Sequence, residues 1–110
     1  MVGKAFEHFI AMEIRAFLSY HRIRKPLAYW RSTSQFEVDF IIGRDLAVEV
    51  KASELVHDRM LKGLRALREE KLIKNYVVAS FDHRRRRIDG IDILPWPEFL
   101  DKLWNGHWVY

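Results

Sequence analysis

Cysteine is absent from the 110 residues, so neither a disulfide framework nor a thiolate metal site is available. The cytoplasm, a reducing compartment, is the expected setting. No apolar stretch approaches the ~20 residues a membrane span needs, and the N-terminus lacks the charged-then-apolar layout of a secretion signal. No membrane partner is expected. A glycine-rich phosphate loop ending in Lys-Ser or Lys-Thr is missing too, which excludes a P-loop nucleotide site. The five histidines show neither H-x-x-H nor H-E-x-x-H spacing, which argues against zinc. No serine or threonine has an evident base beside it, so covalent catalysis is unsupported. Repeats, low-complexity tracts and internal linkers are lacking, and residues 1–110 read as a single domain.

The sequence does have enough apolar surface for one core, at 49% hydrophobic and 14% aromatic residues. Its formal charge of +4 leans mildly toward a polyanionic partner. Apolar residues Phe6, Phe9, Ile10, Ile14 and Phe17 recur at helical spacing and predict a helix over Lys4–Tyr20. Pro26 closes an irregular segment, Leu27–Arg31 reads as a strand, and Ser32–Gln35 carries turn chemistry. Phe36–Ile42 and Leu46–Lys51 alternate with period two around Gly43-Arg44-Asp45, a hairpin signal. Val56–Lys74 reads as a second helix and Tyr76–Ser80 as a strand buried inside a sheet. Phe81–Gly90 reads as a charged loop, Ile91–Leu94 as a strand and Pro95–Trp104 as a closing helix. The expected fold is α/β, in the order αβββαββα, with a mixed sheet flanked by helices.

The hairpin concentrates the chemistry. Alternation places Val38, Phe40 and Ile42 on one face and Glu37, Asp39 and Ile41 on the other. In the second strand Leu46, Val48 and Val50 oppose Ala47, Glu49 and Lys51. A connection centred on Arg44 then sets Asp39 opposite Glu49 and Glu37 opposite Lys51. Opposed carboxylates repel when both are ionised, and either a shared proton or a divalent cation relieves them. Lys51 follows Glu49 on the same face, where an ammonium can approach a phosphate or an attacking water. The plain alternative is the solvated, charged side of an antiparallel hairpin.

Glu49-Val50-Lys51, preceded by Asp39 in Glu37-Val38-Asp39-Phe40, resembles the signature of the PD-(D/E)XK nuclease superfamily, which includes restriction endonucleases and archaeal Holliday-junction resolvases. The chain is more closely similar to the DUF4143 family, a C-terminal domain behind an ATPase in many bacterial and archaeal proteins. The resembling stretches are GKAFEHFIAME (Gly3–Glu13), YWRSTSQFEVDF (Tyr29–Phe40), AVEVKAS (Ala47–Ser53) and ILPWPEFL (Ile93–Leu100). The resemblance implies a restriction-endonuclease-like core. It further implies Mg2+ or Mn2+ held by Asp39, Glu49, the Val50 carbonyl and Glu7, with Lys51 as catalytic lysine. Two departures stand out: Val38 replaces the proline of the superfamily's name, and the ATPase is missing, as in an excised domain or a free-standing relative.

Other residues carry plainer readings beside functional ones. Glu7 suits the dipole of a helix's first turn. Glu13, near the middle of the apolar stripe, needs a partner if buried and is a second-rank site residue. Arg84, Arg85, Arg86 and Arg87 read as a solvated loop or a phosphate-contacting one. Trp30 reads as core, and Ser53 and His57 as cap, surface or pocket residues. The expected function is metal-dependent hydrolysis of nucleic acid, DNA first, with a homodimer or an ATPase as further partners. The alternatives are a catalytically silent nucleic-acid-binding or docking module, and a fragment that dimerises through Trp104, Trp108 and Tyr110.

Overall fold

The apolar stripe of the first segment does form a helix, α1 (Val2–Tyr20), whose Phe6, Ile10, Ile14 and Phe17 are buried. The computed structural model describes residues 2–110. Three strands follow, β1 (Leu27–Arg31), β2 (Glu37–Ile42) and β3 (Leu46–Lys51). A 3-10 turn (Asp58–Leu61) runs into α2 (Lys62–Glu69), and then come β4 (Asn75–Ser80), β5 (Arg86–Ile88), β6 (Ile91–Pro95) and α3 (Trp96–Trp104). The sheet has six strands in the order β1-β2-β3-β4-β6-β5. β3, β4 and β6 run parallel, while β1, β2 and β5 pair antiparallel with their neighbours. The mixed, helix-covered α/β sheet is as expected.

Two elements differ from the sequence reading. The second helix is far shorter than Val56–Lys74, because Lys71 takes a left-handed backbone (φ 57°) and the chain then extends into β4. The segment Phe81–Gly90 contains a strand, so the order is αβββαβββα. Ile88 pairs with Ile91 across Asp89-Gly90, both at positive φ, as a two-residue type I′ hairpin demands. Arg86 and Arg87 therefore lie in a strand and not in a solvated loop.

The hairpin itself is covered on both faces. Ile42, Leu46, Val48 and Val50 pack with α1 and α3, and Val38, Ile41 and Ala47 pack with α2. This removes the alternative of a solvated, charged face, since parallel crossovers place helices on both sides of a sheet. It also corrects the grouping of Val38 with Phe40. The β1–β2 register runs Leu27↔Ile42 and Ala28↔Ile41, then resumes at Trp30↔Val38. Two residues of β2, Asp39 and Phe40, thus stand against Tyr29 alone, which is a β-bulge. Glu37 does not face Lys51. Its carboxylate lies with Arg31 (2.9 Å) and the Tyr29 hydroxyl on the neighbouring strand. Trp30 packs on the α2-side core as expected. Trp108 and Val109 are buried in the chain's own core, with Trp108 stacked on Phe99, so of the three C-terminal aromatics only Tyr110 is widely exposed.

Gly63 lets α2 seat against the bulged strand. A β-carbon there would lie 2.0 Å from the Glu37 carbonyl oxygen. Exposed helical Gly→Ala changes gain ~1 kcal/mol from propensity. Here the clash should prevail, and Gly63→Ala should lose about 2 kcal/mol in urea denaturation. An alanine variant as stable as the parent would contradict this packing.

Candidate active site

Beyond Phe40↔Val48 the β2–β3 ladder stops, and side chains take over its backbone groups. The Val50 amide donates to Asp39 Oδ2 at 2.8 Å, and the Asp39 amide donates to Glu49 Oε1 at 3.1 Å. Each acid thus satisfies an amide on the opposite strand, which a buried N–H requires. The expected juxtaposition of Asp39 and Glu49 holds, but it arises at a bulge and not as a regular cross-strand pair. Lys51 Nζ lies 3.6 Å from Glu49 Oε2. Glu7 reaches the Asp39 carboxyl from α1. That helix begins at Val2, so Glu7 sits in its second turn and not in the first, where the dipole reading had placed it.

Burial governs the electrostatics. Glu49 is only 6% exposed. Its pKa is pushed up to about 9, first by burial and then by its hydrogen bond to Asp39 and that group's charge, while Lys51 pulls it down. Glu7 is also raised, by burial first and then by Asp39. Without a cation Glu49 therefore keeps its proton at neutral pH, the first of the two remedies for opposed acids.

The donors here are all oxygens, which suits a hard divalent cation. Among the described residues, however, no three His, Cys, Asp or Glu side chains are arranged to hold a metal ion together. The set fits magnesium's habit of taking one or two carboxylates and filling its shell with water and substrate oxygens. It does not form a closed cage.

The remaining sequence candidates fall elsewhere. Glu13 accepts the Trp104 indole N–H at 3.0 Å, joining α1 to α3. Ser53 closes a local turn with the backbone of Leu55, and the exposed His57 precedes the 3-10 turn without a side-chain cap. Arg86 is structural: it donates to the Val56 carbonyl (2.8 Å) and Asp82 (3.2 Å). Arg85 pairs with Glu98 and Arg87 with Asp92, at 3.3 and 3.5 Å. Arg84 is exposed and has no ion pair among the described residues.

Sequence reasoning missed Asp82. It is 7% exposed and accepts the Val56 amide at 3.1 Å, fastening the loop after Lys51 to the end of β4. An aspartate just past an apolar strand, four residues before an arginine, was the available signal.

From about pH 4.5 to about pH 9 the unfolded chain ionises Glu49 and the folded chain does not. Folding then takes up a proton, so this group's contribution to stability falls as pH rises through that window. Glu49→Gln keeps an acceptor for the Asp39 amide and mimics the protonated acid. With chelator present it should flatten the pH dependence of the melting temperature. It should also raise that temperature near about pH 8 by several degrees, about 1 kcal/mol being worth ~4–8 °C in a domain of this size. Parallel profiles for parent and variant would contradict a buried, protonated Glu49.

No curated protein and no solved structure matches the chain. A family model described as Domain of unknown function (DUF4143) matches residues 2–99, which spans α1, all six strands and the start of α3. The chain belongs to the DUF4143 family.

Proposed function

We propose that this domain is a metal-dependent phosphodiesterase of the PD-(D/E)XK type acting on nucleic acid, with DNA as the first substrate to test. The observation that carries the reading is the broken β2–β3 ladder, where two acids and a lysine meet on a bulge. A domain needing only stability has little use for a buried acid pair, because well-packed apolar residues are often as stable or more so. Rule-breaking local structure is expected where function is served.

In this reading Asp39, Glu49 and the Val50 carbonyl would hold Mg2+ or Mn2+, with Glu7 joining through water. Such a cation supplies charge neutralisation at a phosphate oxygen and a more acidic water. Lys51 holds an attacking water, or the developing negative charge, with its ammonium. Glu7, whose pKa is raised by burial and then by Asp39, is placed to exchange a proton with that water. To hold a cation Glu49 would have to give up the proton its buried carboxyl keeps, so metal affinity should rise with pH.

One observation favours a second reading, a silent docking or nucleic-acid-binding module: Asp39 and Glu49 already serve the backbone. An ATPase acting with the domain is part of either proposal. Plasmid, single-stranded and branched DNA incubated with Mg2+ or Mn2+ separates them. The parent should cleave, and Lys51→Ala and Asp39→Ala should each lose about 10²–10⁴-fold in rate. Parent and Asp39→Ala rates that match would overturn the hydrolytic reading.

A further inference from the structure

The parallel strands β3, β4 and β6 end side by side, and their last residues share one row: Lys51 is in register with Ser80, and Ser80 with Pro95. Two strand spacings, about 10 Å, therefore separate the Lys51 backbone from the start of α3. Carboxyl ends of parallel strands are where open α/β sheets take ligands. A groove of about 440 Å3 opens at this end, bounded by Phe81, Pro95, Trp96 and Pro97, with Glu54 and His83 at its polar rim. Trp96 is 36% exposed and is braced edge-on by Phe9, with ring centroids 5.7 Å apart. Phe81 is braced by Phe6, the residue before Glu7, at 4.5 Å. The Phe81 amide also donates to the Ser53 carbonyl at 3.1 Å, two residues past Lys51. The groove thus opens at the strand ends that carry Lys51, and the Phe81–Ser53 bond ties it to the segment leaving that lysine.

We infer that this groove is a stacking site for an unpaired nucleobase of the substrate strand, so that the domain prefers single-stranded or frayed nucleic acid to intact duplex. The inference rests on the nucleic-acid reading of the acid–lysine site. An indole, a phenyl ring and two proline rings make up most of the groove's lining, and Asp82 joins Glu54 and His83 in completing it. Flat, rigid aromatic surface is what an unstacked base uses, with little regard to sequence. A base within a duplex is already stacked on both sides and cannot enter. Polar recognition falls to Glu54 and His83, which lie 3.5 Å apart at the rim and can meet a base edge. Arg84, next to His83, is exposed and unpaired among the described residues, and is left to contact a phosphate. Of the arginine run, this is the one member without an ion pair among the described residues.

Binding tests the proposal without turnover. Fluorescence anisotropy would follow a labelled short single strand, the same strand as a blunt duplex, and a strand of abasic sugar-phosphates, each against the Asp39→Asn domain with Mg2+. The single strand should bind tighter than both others. Trp96→Ala should weaken single-strand binding roughly 5–100-fold, with Trp96→Phe retaining part of it. Equal affinity for the normal and abasic strands overturns the base site even if Trp96→Ala fails to fold. So does a folded Trp96→Ala that binds as its parent does. Parent cleavage is assayed separately. Trp96-dependent binding without any cleavage would leave the base site standing and remove the hydrolytic reading. Cleavage indifferent to strandedness and to Trp96→Ala would do the reverse.

Discussion

The Asp39 carboxylate takes the Val50 amide while Glu49 takes the Asp39 amide, and through these two bonds β2 and β3 stay joined after their ladder has ended. A regular antiparallel pair would have used backbone carbonyls there. The bulge opposite Tyr29 shifts β2 by one residue, turning Val38 toward α2 while Phe40 stays against the α1-side core. Gly63 admits the α2 backbone to the same stretch of β2, beside Glu37. On the other face α1 brings Glu7 to Asp39. Strand, bulge and both helix faces thus depend on how two acids replace a few backbone contacts.

That arrangement carries a cost. A carboxyl as enclosed as Glu49 cannot ionise cheaply, and Lys51 at 3.6 Å offsets only part of the penalty. Glu49 is therefore protonated near neutral pH, and in the proposed reading a cation would stand in for that proton. The loop leaving Lys51 is correspondingly well fixed, with Asp82 and Arg86 taking the amide and the carbonyl of Val56. In the proposed reading Lys51 holds a charged group at one distance, and a backbone that cannot drift serves that role.

Much of this was legible in the sequence. The helical stripe of α1, the boundaries of β1 and β3 and the pairing that sets Phe40 opposite Val48 all follow from periodicity and turn chemistry. Asp39, Glu49 and Lys51 stood out because charge density within two short strands is conspicuous. The bulge was not legible, because a shift of one residue leaves no mark in composition; the register with β1 and the α2 packing of Val38 reveal it. The strand β5 was legible but obscured: Ile88-Asp89-Gly90-Ile91 is a strong hairpin signal, yet the preceding arginines read as a solvated loop. Long-range partners such as Asp82 with Val56, or Glu13 with Trp104, depend on the tertiary arrangement and leave no local pattern.

In the proposed reading Asp39 and Glu49 form one site that exchanges a proton for a divalent cation. Anomalous scattering from a crystal soaked in millimolar manganese at mildly alkaline pH tests it most directly. A manganese peak is expected between the two carboxylates, with Lys51 beside it. A well-occupied crystal with no peak there, or with manganese only at distant surface acids, would contradict it.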